Sequence, residues 1–107
     1  MGYLTSYKLK VIEGDNKMAL IAGIKSSSAE VSFALTSLGR SRERCAWYNH
    51  ESDIKAFSLK HPSALFRLEG EGERSEDIWH KYFKNGEMQV CRGVIAFAPF
   101  DESKLSQ

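Results

Sequence analysis

The dipeptide Asn85-Gly86 restricts the fold of this chain more than any other pair of residues. It separates Ile78-Trp79-His80-Lys81-Tyr82-Phe83-Lys84 from Glu87-Met88-Gln89-Val90-Cys91, two segments of strand length. Asn-Gly is the preferred pair for a two-residue type I′ turn, because both central residues need positive φ. Such a short loop also sets the register of the strands it joins. Lys84 then opposes Glu87, Phe83 opposes Met88, Tyr82 opposes Gln89, Lys81 opposes Val90, His80 opposes Cys91 and Trp79 opposes Arg92. The last pair also admits a cation–π contact. Gly93 marks a bulge or bend before Val94-Ile95-Ala96-Phe97, Pro99 ends pairing, and Asp101 to Gln107 form a polar tail.

The remaining elements are read around this hairpin. Tyr7, Leu9 and Val11 alternate with Lys8 and Lys10, which predicts a strand over Tyr7–Glu13. Gly14-Asp15-Asn16 is a turn. Met18 to Lys25 is a continuous apolar run that periodicity cannot assign to strand or helix; its shortness and the preceding turn favour a second hairpin arm. In Glu30 to Thr36, Val31, Phe33 and Leu35 alternate with Ser32, Ala34 and the flanking Glu30 and Thr36, which predicts another strand. Arg40 to Arg44 follow as a loop or a strand extension. A helix begins near Asn49, whose side chain suits an N-cap, with Glu51 and Asp53 in the first turn. Ile54, Phe57 and, at its far end, Leu59 supply its buried stripe, and Pro62 ends it. From Ala64 the period returns to two. The order β-β-β-α-β-β-β predicts an α+β fold: a mainly antiparallel sheet with one helix packed on one face. The 107 residues make a single domain, 1–107, with short flexible ends at about 1–4 and 101–107.

Composition excludes more than it indicates. Apolar residues form 42% of the chain and charged residues 27%, a globular rather than a disordered balance. Fifteen basic residues stand against fourteen acidic ones, so bulk charge does not call for nucleic acid or an anionic membrane. Any electrostatic role must lie in a local patch. Cys45 and Cys91 are too few and too far apart for a disulfide scaffold or a metal knuckle. The first residues lack the basic-then-apolar order of a signal peptide, and Met18 to Ile24 is too short to span a bilayer. The start Met1-Gly2 with Ser6 fits the loose myristoylation pattern, without a second membrane signal nearby. A cytoplasmic protein with no membrane partner is expected.

Two charged stretches are the candidate partner-binding sites. Glu69, Glu71 and Glu73 share a face of an extended backbone, with Glu76 and Asp77 just beyond. They read as a patch for a basic partner surface or a divalent cation, or as a solvated strand edge that discourages aggregation. Arg40, Arg42 and Arg44 form the opposite stretch: a grip for phosphates or an acidic partner, or the chain's own counterions to its glutamates. They lack a flanking aromatic platform. Trp47 and Trp79 either seal the helix against the sheet or form an exposed aromatic surface. His50, His61 and His80, with Cys91 across from His80, raise the question of a Cys-His pair. No oxyanion loop adjoins Cys91, and the chain carries no P-loop, dinucleotide fingerprint, nucleophile elbow or zinc motif. Neither an enzyme nor a cofactor nor a metal is expected.

The segment Trp47-Tyr48-x-His50-x-x-Asp53, Phe57-Ser58, Pro62, Leu65-Phe66-x-Leu68-x-Gly70-Glu71-Gly72-Glu73 and Asp77-Ile78-Trp79-x-x-Tyr82-Phe83-x-Asn85-Gly86 resembles small uncharacterised α+β proteins of bacteriophages and bacterial mobile elements. The resemblance covers residues 47–86 and implies an accessory or host-interaction role, an anti-defence factor being one version. The leading expectation is a non-enzymatic interaction protein that binds a protein partner through charged sheet edges. The alternative is a nucleic-acid-binding module using Arg40, Arg42 and Arg44; a small enzyme with an unrecognised site stands third. A monomer and a homodimer paired through an edge strand are both compatible with the sequence.

Overall fold

A computed structural model describes residues 3–94 and 96–106. Met1 and Gly2 of the myristoylation pattern, and Ile95 of the segment after Gly93, lie outside the described residues. The elements run β1 (Thr5–Glu13), α1 (Lys17–Lys25), α2 (Ala29–Ala34), α3 (His50–Lys60), β2 (Leu65–Gly72), β3 (Ile78–Lys84) and β4 (Glu87–Arg92), followed by a 3₁₀ turn at Glu102–Lys104. The four strands form one antiparallel sheet in the order β1-β2-β3-β4. The protein is therefore α+β, with helices on one side of an antiparallel sheet.

The hairpin forms in the expected register, from Lys84 opposite Glu87 to Trp79 opposite Arg92. Asn85 and Gly86 take φ of 49° and 80°, as a type I′ turn requires. The Gly86 N–H donates to Ser58 Oγ at 2.8 Å, which ties the hairpin tip to the last turn of α3.

Two segments read as strands are helices. In Lys17–Lys25, Asn16 sits in the left-handed region and its side chain accepts from the Ala19 N–H at 3.3 Å, so the turn chemistry starts a helix instead of reversing a strand. Leu20 and Ile24, four residues apart, form its buried stripe. In Ala29–Ala34, Ser28 Oγ accepts from the Val31 N–H at 3.2 Å. Val31, Ala34 and Leu35 are buried at i, i+3 and i+4, while Phe33, assigned inward by alternation, is 83% exposed. The element starting near Asn49 is a helix, and Asn49 makes no side-chain cap. Instead, its backbone N–H donates to Glu30 Oε1 at 3.1 Å and its carbonyl accepts from the Asp53 N–H.

The core lies between the helices and one sheet face. Tyr7, Leu9 and Val11 of β1, Phe66 and Leu68 of β2, and Trp79 and Phe83 of β3 point into it. Leu20, Ile24, Val31, Trp47, Ile54 and Phe57 meet them from the other side. Each such side chain contributes about 1.5–3 kcal/mol by leaving water. The run Glu69-Gly70-Glu71-Gly72 has a structural logic here. Its glutamates take the open face, and a Cβ on Gly70 would stand 2.1 Å from Trp79 Cζ2. The glycine is the space in which the indole lies.

Candidate functional site

The two edges of the sheet are treated differently. Along the outer side of β1 runs a strap, residues 39–45. Its Cys45 exchanges N–H···O bonds with Thr5 at 2.9 Å each way, and the Ser41 N–H donates to Tyr7 O at 2.9 Å. Ser41 Oγ accepts from the Tyr7 N–H at 2.9 Å, and Gly39 O accepts from the Leu9 N–H. The outward N–H groups of Thr5, Tyr7 and Leu9 are all satisfied, so this edge is closed to another strand from Thr5 to Leu9.

The β4 edge is open. Since Lys84 and Glu87 flank a two-residue loop, they and every second pair beyond them exchange hydrogen bonds. The Gly93 N–H, which donates to Ile78 O at 2.8 Å, continues that series. Met88, Val90 and Arg92 therefore turn their N–H and C=O groups away from β3, and among the described residues no strand or strap lies along them. Val90 is 43% exposed. Beyond β4, Val94 and residues 96–106 form an arm without a strand, in which Val94, Phe97, Phe100 and Leu105 are exposed. An exposed apolar side chain, Val90, on a strand with unpaired backbone donors is the composition of a docking edge.

The acidic residues are largely engaged within the chain. Glu69 Oε2 lies 3.4 Å from Lys10 Nζ and 2.9 Å from Arg67, and Glu71 lies 3.6 Å from Arg44. Burial would raise the Glu69 pKa, yet Lys10 and Arg67 together hold it below the usual range. Glu73 lies past the end of β2 and accepts from the Leu4 N–H at 3.1 Å; Glu76 is exposed beside Ser75. Asp77 pairs with Arg92 and is hydrogen-bonded to Tyr3, and both contacts lower its pKa, that of Tyr3 foremost. The acidic stretch thus does not form one free patch: Glu69 and Glu71 face the open side of the sheet, and Asp77 closes its corner.

The arginines also separate. Arg40 pairs with Lys8 through a backbone bridge at the sheet edge, whereas Arg42 and Arg44 line a cleft beside α2, and Arg44 also reaches Glu71. Trp47 and Trp79, candidates for an exposed aromatic surface, are 1% and 7% exposed; they seal the helices to the sheet. The Trp47 N–H donates to Asp53 Oδ2 at 2.8 Å, satisfying the buried indole. The cation over Trp79 is Lys81, 4.2 Å from the ring, because Arg92 is taken by Asp77.

A cluster that sequence reading did not assemble lies where α3 meets β3. His50 stacks on Trp79, with ring centroids 5.4 Å apart. Its Nδ1 lies 2.9 Å from Trp47 O, which assigns the proton to Nδ1, and its Nε2 accepts from Lys81 Nζ at 2.7 Å. Lys81 Nζ also lies 2.8 Å from Glu51 Oε2. Burial, reinforced by the Lys81 charge, lowers the His50 pKa, and the Lys81 hydrogen bond lowers that of Glu51. Burial raises the neighbouring Tyr7 hydroxyl. Both ring nitrogens of His50 are occupied, so the cluster ties the helix to the sheet. His50 preceding Glu51 was visible in the sequence; Lys81 as its partner depends on a contact across 31 residues. His80 and Cys91 oppose each other on the open face, and Cys91 is exposed. Among the described residues no three His, Cys, Asp or Glu side chains gather as a metal site, and no helix is long and apolar enough to cross a membrane.

Comparison with protein families, curated proteins and solved structures finds no match to this chain.

Proposed function

We propose that the protein is a non-enzymatic interaction module that captures a protein partner as an added strand on β4. The observation that supports this reading is the asymmetry of the sheet: the β1 edge is hydrogen-bonded to its own strap, while Met88, Val90 and Arg92 present unpaired backbone groups. Strand addition takes affinity from main-chain hydrogen bonds and specificity from alternating side-chain contacts. The charged stretches play the smaller part, since Glu69 and Glu71 already face cations of the same chain.

Affinity capture from nuclease-treated bacterial lysate tests the reading with three baits. Wild-type protein retains a stoichiometric partner. Val90→Pro, which removes one outward N–H and leaves the β3 ladder intact, loses it with an unchanged circular dichroism spectrum. Reversal of Glu69, Glu71 and Glu73 to lysine retains it. Loss with the charge reversal and retention with Val90→Pro would transfer the function to the acidic stretch. Self-association of the wild type, lost in Val90→Pro, would make a second copy the partner.

A further inference from the structure

Between α2 and the strap lies a cleft of about 520 Å³. Its lining residues include Lys25, Arg42 and Arg44, with Glu43 the one carboxylate among them; Arg44 also lies 3.6 Å from Glu71. Ser32, Thr36 and Ser37 add hydroxyl groups, and Phe33 stands at the mouth with 83% of its surface exposed.

The walls are held before any ligand arrives. On one side, Lys25 Nζ donates to Ser32 O at 2.9 Å and to Ser32 Oγ at 3.3 Å, which fixes the cation against α2. On the other, the strap is anchored to β1 at Ser41 and again at Cys45, so Arg42 and Arg44 emerge between two fixed points. The turn between the walls is closed by the Thr36 N–H on Arg40 O at 2.8 Å and the Gly39 N–H on Thr36 O at 2.9 Å. Two guanidinium groups suit bidentate contact with phosphate oxygens, and an ammonium group adds a point charge. An exposed phenyl ring beside them offers a stacking surface for a planar base. The sequence showed the arginines without an aromatic neighbour, and folding Ala29–Ala34 as a helix puts Phe33 on the same cleft as them.

We propose that this cleft binds a nucleotide, with the phosphate held by Lys25, Arg42 and Arg44 and the base stacked on Phe33. The site is separate from the β4 edge and stands or falls independently of strand capture. The shared chemistry is a phosphate joined to a base, whether in a free nucleotide or in a single strand.

Amide chemical shifts of the full chain, titrated with AMP, a twelve-residue oligothymidylate and inorganic phosphate, test the proposal. AMP and the oligonucleotide shift the amides of residues 32–37 and 42–45 saturably. Phe33→Ser weakens both roughly tenfold and leaves phosphate unaffected; because Phe33 is exposed, the variant keeps its fold. Arg42→Gln with Arg44→Gln weakens all three probes and flattens the salt dependence of oligonucleotide binding. Tighter binding of the oligonucleotide than of AMP, with a steep salt slope, identifies a strand as the source, and equal affinity identifies the free nucleotide. Shifts confined to other residues, absence of saturable shifts, or binding indifferent to Phe33→Ser would overturn the nucleotide assignment.

Discussion

At the scale of single residues, close approach and occupied hydrogen bonds decide more than chemical type. A Cβ at position 70 would sit 2.1 Å from Trp79 Cζ2 and 2.2 Å from Cε2, and the indole has core side chains behind it. Gly70→Ala is predicted to lose about 1–3 kcal/mol in urea denaturation, the range for overpacking. His50 makes a second prediction, in pH. It is surrounded by Tyr7, Trp47 and Trp79, by Lys81 from β3, and by Glu51 and Asp53 of its own helix. Its folded pKa lies below 6.5, so the unfolded chain takes up the proton first as pH falls. The stability that neutral His50 contributes is complete above 6.5 and is lost as pH drops through the folded value. Glu51, also lowered, adds its own loss only below 4.5. His50→Gln should therefore flatten the stability profile between about pH 5 and pH 7 and leave the acid limb in place. An unchanged slope would show that another group titrates there.

At the scale of elements, legibility followed the range of the determining contacts. The hairpin was readable because Asn85 and Gly86 dictate it within two residues, down to the opposition of Trp79 and Arg92. α3 was readable from its first-turn acids and Pro62, although the Asn49 side chain does not cap it and Glu30 of α2 holds the Asn49 N–H instead. α1 and α2 were not readable. An unbroken apolar run has no period, and in six residues the pattern Val31, Phe33, Leu35 fits a strand as well as Val31, Ala34, Leu35 fits a helix. Burial against the core chose the second. If Ser28 starts a helix, Ser28→Ala should lower stability by about 0.5–2 kcal/mol, the worth of an N-cap. A thermal midpoint identical to the wild type would contradict that role. The candidate surfaces were the least legible part. The strap that closes β1, and the meeting of Phe33 with Arg42 and Arg44, join segments that local pattern does not relate.

At the scale of the whole molecule, the chain is more extended than a compact one of its length. The radius of gyration is 16.7 Å, against about 13 Å for a compact chain of this size. Val94, Phe97, Phe100 and Leu105, in the chain after β4, stay exposed, and among the described residues no strand pairs with the outer edge of β4. The most direct measurement is amide hydrogen exchange of Met88, Val90 and Arg92 in the free protein and in the captured complex. Strand addition predicts fast exchange of these three amides when free and strong protection in the complex, with Tyr7 and Leu9 unchanged. Protection that spares all three and appears on the open sheet face, around Glu69 and Glu71, would contradict it.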